Sequence, residues 1–493
     1  MSRLDWLREK FATVFRGREQ VDLTEGGIAK PLFFLSLPIV VTNLLQTAYN
    51  LADTFWLGQF SKEALASITF AFPMVFLLIS LGFGVSVAGS VLVAQNVGKG
   101  DERQAEFAAS QTITFSFVVS AILGILGLLF VGDVLTIFGA EPVVLEGATD
   151  YMRVISAGLP LMFGFFVFTA LMRGYGDTVT PMLVQFGTVV LNIVIDPLFI
   201  FGVPAIGLPQ LGVEGAAYAT VISRGLAMVV GLAIMFRGNR GVRIHLGDMT
   251  PELGYFRRML DIGVPASIEG TGRAVSVNLM LIIVGLYSTT VVAAFGVGVR
   301  VFSTIFLPAI AVARGVETMA GQNIGAGKQD RAQATADFAA KASFVVLALA
   351  GVVTFVFAEP IVALFTDGPQ VIAEGANFLR IVSPSFGFIG IVRSYSGAFR
   401  GAGQTIVAAA ISISTLAAIR LPTAWFASQP IGLDLGPTGI WAAFVVSNVL
   451  GAGLAFGWFR RGGWRDADAT RGVGSPGGDA ADGSDADAAP TDD

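Results

Sequence analysis

Along the chain, apolar residues gather into twelve long runs at residues 31–57, 65–95, 105–131, 148–172, 179–201, 213–236, 258–286, 290–319, 334–358, 374–399, 405–427 and 438–459. Short breaks rich in Gly, Pro and charge separate them. Roughly 20 mostly apolar residues in helical conformation cross a bilayer, so the pattern predicts an all-α membrane protein of twelve transmembrane helices. Basic residues set its orientation. One set of breaks carries Lys99, Arg103, Arg173, Arg237, Arg240, Arg243, Arg257, Arg258, Lys328, Arg331, Arg400, Arg460, Arg461 and Arg465. The other carries Asp133, Glu141, Glu146, Asp150, Glu359, Asp367 and Asp434, with Lys62 as its main basic exception. The bias of Lys and Arg toward the inner side places both termini in the cytoplasm.

A repeat divides the runs. Gln95-Asn96-Val97-Gly98-Lys99-Gly100 returns in the second half as Gln322-Asn323-Ile324-Gly325-Ala326-Gly327. At the same offset Arg173-Gly174-Tyr175-Gly176-Asp177-Thr178 returns as Arg400-Gly401-Ala402-Gly403-Gln404-Thr405, and Pro38 as Pro265. Six crossings bring the chain back to the side it started from, so the halves insert in the same sense. They form two six-helix bundles related by a pseudo-twofold axis along the membrane normal. The expected organisation is an amphipathic cytoplasmic arm (1–28), a first lobe (29–236), a polar linker (237–257), a second lobe (258–460) and an acidic tail (461–493).

Composition narrows the chemistry. Of 493 residues 54% are hydrophobic and 14% charged, which fits a polytopic membrane protein, and the absence of cysteine excludes disulfides and thiolate sites. His245 lies among Arg237, Arg240 and Arg243 without companion ligands and is expected to be a solvated loop residue. Trp6, Leu7, Phe11, Val14 and Phe15 fall on one side of a possible surface helix. From Asp466 onward eight Asp oppose one Arg in a Gly- and Ala-rich stretch unable to build a core. No GxxxxGK[ST] phosphate loop occurs, which argues against a nucleotide-driven pump. Nothing in the pattern points to nucleic acid.

Two acids stand where charge is expensive. Asp53 in the first run and Asp196 in the fifth have no Lys or Arg within four residues, and a bare charge near the bilayer centre costs about 3 kcal/mol or more. Both fall in the outer half of the first bundle. Asn50, Asn192 and Tyr151 offer amide and phenol neighbours, Gln46 lies one turn before Asn50, and Pro38 kinks the same run. Such a pair can share a proton or a sodium ion, so Asp53 and Asp196 are the candidate ion-coupling and metal ligands. At the repeat offset they become Met280 and Thr423, which confines coupling to the first half. Glu269 has Arg273 one turn on, and Glu317 has Arg314 three residues before, as expected of structural ion pairs. Arg224, Arg393 and Arg420 either tie helices together or meet an anionic group. The glycines of the repeated turns are expected to cap helices. Gly174-Tyr175-Gly176-Asp177 matches the GxGD pattern of intramembrane aspartyl proteases, but Asp177 falls in a cytoplasmic turn and its repeat partner is Gln404.

Taken together, the paired QNxGxG and RGxGxT turns, Pro38, the Asp53-Thr54-Phe55-Trp56 segment and the Asn192 to Pro197 segment resemble the multidrug and toxic compound extrusion (MATE) transporters, archaeal members above all. The resemblance covers residues 29–459. It implies a monomeric plasma-membrane antiporter, not an enzyme, that expels cationic or amphipathic organic compounds against inward H⁺ or Na⁺ and needs no cofactor besides that ion. Asp53, Asn192 and Asp196 would form the ion-linked site, with Pro38 as its kink and Tyr151, Asn50 and Gln46 lining the cavity. Glu269 and Arg273 would be the weaker second-lobe counterpart. A flippase for lipid-linked precursors, with Arg273, Arg300 and Arg420 facing a pyrophosphate, is the alternative.

Overall fold

The computed structural model describes residues 22–470. The expected surface helix around Trp6 to Phe15 and the tail beyond Thr470 lie outside the described residues. Long helices follow one another as α1 (Ala29–Phe60), α2 (Lys62–Lys99), α3 (Glu102–Phe138), α4 (Pro142–Tyr175), α5 (Val179–Phe201), α6 (Gly212–Arg237), α7 (Leu253–Val284), α8, α9 (Gln329–Val356), α10 (Pro369–Gly401), α11 (Thr405–Ser428) and α12 (Pro437–Arg460). Eleven of them are continuous spans among the described residues, while α8 is Thr289–Ile305 followed by Leu307–Gly325 at an angle of 41°. The eighth run expected from hydropathy is this bent pair. Pro308 has no N–H to give the carbonyl of Thr304, and the helix breaks there. Among the described residues the sole β pairing is an isolated bridge between Val203 and Leu208.

Local chemistry fixes the helix ends. The Ser61 hydroxyl accepts the Ala64 N–H at 3.0 Å to start α2, and Asp101 does the same for Gln104 in α3. Gly176 and Gly403, one repeat apart, both take left-handed φ values, of 106° and 78°, where a side chain would be strained. Asp177 begins α5 by accepting the N–H groups of Val179 and Thr180 at 3.0 and 2.9 Å. That cap accounts for the GxGD pattern without any proteolytic chemistry.

Packing repeats as the sequence does. In the first lobe α4 is central, against α2, α3 and α6, while α1 pairs with α5. In the second lobe α10 is central, against the second half of α8, α9 and α12, while α7 pairs with α11. Between lobes α2 meets α7, α1 meets the second half of α8, and α2 meets α8. This is the pairing that a twofold axis between α2 and α8 requires.

The repeated turns close one end of this contact. A Cβ on Gly98 would stand 1.9 Å from the Gln322 carbonyl oxygen, and one on Gly325 would stand 2.0 Å from that of Gln95. Each glycine thus lets the partner helix's backbone approach at a distance no side chain permits. Gln95 donates through Nε2 to the Gly401 carbonyl at 2.9 Å, and its repeat mate Gln322 donates to Gly174 at 3.0 Å. Both glutamines are buried. The QN and RG motifs of opposite lobes therefore grip one another, beyond the helix-capping role expected of their glycines. Two chain segments underlie the grip. Gln95 Oε1 accepts from Ala469 N at 2.8 Å, with Asp468 3.0 Å from Lys99, and Asn323 Nδ2 donates to the Leu23 carbonyl at 3.0 Å.

The linker also departs from a loose polar loop. Val242 and Ile244 are buried, Gln111 of α3 donates to the carbonyls of Asp248 and Thr250, and Arg103 pairs with Asp248. His245 is correspondingly not a free loop residue, since its Nε2 lies 2.9 Å from Glu106. Hydropathy could not show this, because each contact joins polar groups that are distant in the chain, Gln111 with Asp248 and Glu106 with His245.

Because the chain has no native cysteine, closure can be read by labelling. Ala94→Cys places a thiol at a buried contact with Gly321. Its maleimide labelling is expected to be slow, and to accelerate about tenfold when Gly98→Val forces the backbones apart, which corresponds to losing about 1.4 kcal/mol of closed-state preference. Unchanged labelling in the folded double variant would contradict the glycine seal.

Candidate functional site

Asp53 on α1 and Asp196 on α5 come together inside the first lobe, 7% and 0% exposed, close enough for each carboxyl group to act on the other. The pairing of α1 with α5 brings about this meeting. On α5 the buried polar residues Gln185, Thr188, Asn192 and Asp196 recur at helical spacing, forming one polar stripe along an otherwise apolar helix. Asn192 donates through Nδ2 to Asp196 Oδ1 at 2.9 Å. Three oxygens then remain buried without a hydrogen-bond partner: Asp53 Oδ1, Asp196 Oδ2 and Asn192 Oδ1. An unpartnered buried polar group costs about 1–3 kcal/mol and a charged one more, so these acceptors are suited to a donor, a proton or a cation.

No guanidinium or ammonium lies within ion-pair distance of either acid among the described residues. Arg224 of α6 exerts its charge on Asp53 from farther away. It is held off by Gln46 Oε1 at 2.6 Å and Gln185 Oε1 at 3.1 Å, and packs against the rings of Tyr49, Phe165 and Phe166 at 4.9–5.6 Å. Tyr49 in turn donates to Thr220 at 2.8 Å. Sequence alone leaves Arg224 undecided and does not single out Gln185 or Tyr49. The placing of Gln185 two helical turns before Asn192 is the available signal.

The other expected residues are distributed unevenly. Tyr151 is 5% exposed and within the electrostatic reach of both acids. Gln46 joins the Arg224 network, and its Nε2 donates to Asn50 Oδ1 at 2.9 Å, where Asn50 is solvent-exposed. Pro38 is buried within α1, which runs unbroken, and the Thr42 hydroxyl donates to its carbonyl at 2.9 Å. The proline leaves the Phe34 carbonyl without its helical donor, a weak point in the backbone.

Glu269 and Arg273 lie elsewhere, in a network inside the second lobe. Arg273 reaches Glu269 at 3.2 Å, as their spacing implies, but Arg400 of α10 also clasps Glu269 at 3.1 Å and reaches Glu317 at 3.1 Å. Arg314 holds Glu317 at 2.8 Å, and Ser412 donates to Glu269 at 3.1 Å. Glu269 is thus fully engaged by cations, in contrast with the acids of the first lobe. No cluster of three or more His, Cys, Asp or Glu suited to a multivalent metal occurs among the described residues.

Comparison with known proteins agrees with this architecture. The family model described as MatE matches residues 38–198 and again 265–426, starting at the two prolines of the repeat. A protein described as probable multidrug resistance protein YoeA, from Bacillus subtilis, is 28% identical, the match covering 86% of this chain and 92% of that one. An FAD transporter from Shewanella oneidensis is 26% identical over 88% of this chain and 94% of its own. Among solved structures, a MATE protein in its bent conformation superposes with a TM-score of 0.84 at 25% identity, covering 90% of this chain and 98% of that one. With the family model spanning both halves of a two-lobe helical fold, the chain belongs to the MatE family of membrane transporters and is not an enzyme.

Proposed function

We propose that this chain is a secondary antiporter that exports organic amphipathic compounds, cationic drugs among them, in exchange for an inward H⁺ or Na⁺ held by Asp53, Asp196 and Asn192. The three unpartnered oxygens gathered between α1 and α5 carry this reading. The name of the Bacillus relative supports drugs as cargo, and that of the Shewanella relative extends the range toward large aromatic amphipaths. Lys99, Arg103, Lys328, Arg331, Arg460 and Arg465 cluster at the sealed end with both ends of the described chain. The inward bias of basic residues therefore makes that end cytoplasmic in the plasma membrane, so the sealed state faces outward. A single copy contains the whole coupling site.

In this scheme the outward-facing pair takes up the ion from outside. Ion binding removes the repulsion between the carboxylates, lets α1 settle against α5, and uses the weak point at Pro38 to bend α1. The space beside Gln46, Arg224 and Tyr151 shrinks and cargo leaves. Opening of the QN–RG seal then delivers the ion inward, and each unit charge moved down 100 mV supplies about 2.3 kcal/mol.

Proteoliposomes with separately imposed pH and sodium gradients test the scheme. Asp53→Asn is expected to abolish gradient-driven efflux of a cationic dye while the protein still inserts and folds; undiminished efflux sinks the proposal. Glu269→Gln should behave differently. Weakening a buried ion pair that Arg400 also holds is expected to lower the thermal midpoint, the loss of a buried partner being worth about 3–5 kcal/mol, yet leave the gradient dependence of residual transport intact. Loss of that dependence at unchanged stability would move coupling into the second lobe.

A further inference from the structure

The repeat that relates the two lobes also relates two regions of opposite charge. The surroundings of Asp53 map, one repeat on, to the wall of a cavity of about 440 Å³ inside the second lobe: Gln46 becomes Arg273, Tyr49 becomes Ser276, Asp53 becomes Met280 and Gln185 becomes Ser412. Where the first lobe presents carboxylates, this cavity presents Arg273, Arg393 and Arg420.

These cations are poorly balanced. Arg420 finds only neutral partners, Ser447 Oγ at 2.8 Å and Asn448 Oδ1 at 2.9 Å, and lies 4.3 Å from the ring centre of Phe444. Arg393 makes no hydrogen bond or ion pair among the described residues, although the charges of Arg273, Arg314, Arg400 and Glu269 all act on it. Arg273 must share Glu269 with Arg400. Five arginines, at 273, 314, 393, 400 and 420, thus face two glutamates, 269 and 317. Buried charge persists where it is paired, and a planar guanidinium offers its fork of donors to carboxylate or phosphate. Phe295, Phe302 and Phe444 give the wall aromatic faces, set among aliphatic side chains such as Val299 and Ile389. Cargo entering here therefore meets flat apolar faces beside an unanswered positive field.

We propose that the second-lobe cavity is a binding site for the anionic group of an aromatic or acyl amphipath, a carboxylate or phosphate held by Arg393 and Arg420 with its apolar body against the phenylalanines. Glu269 holds Arg273, while Arg393 and Arg420 have no carboxylate partner among the described residues and can offer their donors to the ligand. Apart from Phe76 of α2 the site is built by the second lobe, and its occupancy is read without any ion gradient. Its failure is therefore separable from failure of the antiport reading.

Isothermal titration of the purified full chain in a neutral detergent tests it, with 1-naphthyl phosphate as probe and inorganic phosphate and 1-naphthylmethylamine as controls. The aryl phosphate is expected to bind about tenfold or more tightly than either control, and Arg393→Gln and Arg420→Gln each to weaken it about tenfold, the scale of one charge-assisted hydrogen bond. Arg393→Lys keeps the charge and should keep most of the affinity if the glutamine variant proves unstable. Competition by dihexanoyl phosphatidate would extend the site to lipid headgroups, and its absence would confine the site to soluble aromatic anions; either result retains the anion site. Equal affinity for the amine or for inorganic phosphate, or affinity indifferent to both glutamine variants in folded protein, overturns the proposal.

Discussion

Two carboxylates buried against each other at membrane depth, with no cation at ion-pair distance, cannot both remain charged and uncompensated. That constraint organises the first lobe. Asp53 and Asp196 come from helices that must pack for the lobe to have a core, so the repulsion is built into the fold. Asn192 answers one oxygen only, and Arg224 is kept at a distance by two glutamines and three rings. In the proposed scheme a mobile monovalent ion completes the set. In the second lobe the acids are answered by arginine, with Arg400 bridging Glu269 and Glu317. One repeat unit has in this way produced one lobe whose acids have no cation at ion-pair distance and one whose acids are held by arginine.

The repeat does more than duplicate helices. Because α2 and α8 lie beside the pseudo-twofold axis, one motif on each suffices to build a reciprocal lock, with Gly98 seated on Gln322 and Gly325 seated on Gln95. Each glutamine side chain then holds the terminal carbonyl of a helix in the opposite lobe. A hydrogen bond of this kind contributes about 1 kcal/mol, a scale at which a reversible seal can open and close. The segments near Leu23 and Ala469 bond the same motifs from beneath.

Much of this is legible in the residues themselves. Hydropathy locates every span, because burying backbone in lipid demands long apolar helices, and the constant offset between the QN, RG and proline copies exposes the two lobes. Asp53 and Asp196 stand out since no basic neighbour on their own helices could neutralise them. Interactions that join distant parts of the chain are not legible. Arg400 lies 131 residues from Glu269, and the QN glutamines bond carbonyls 306 and 148 residues away, so their pairing depends on which helices cross at the axis. The break in α8 is hidden because Pro308 sits in a run that hydropathy alone reads as continuous. His245 looks solvated only because its partner, Glu106, belongs to another helix.

Whether Asp53 and Asp196 hold one exchangeable cation between them is observed most directly by difference infrared spectroscopy on protein carrying isotope-labelled aspartate, since a protonated carboxyl absorbs apart from a carboxylate. The expected result is a carboxylic-acid band that disappears when protons are withdrawn or sodium is supplied, and that is altered in Asp196→Asn. A spectrum in which both acids stay ionised whatever the proton and sodium concentrations, with no ion bound, would contradict a shared cation.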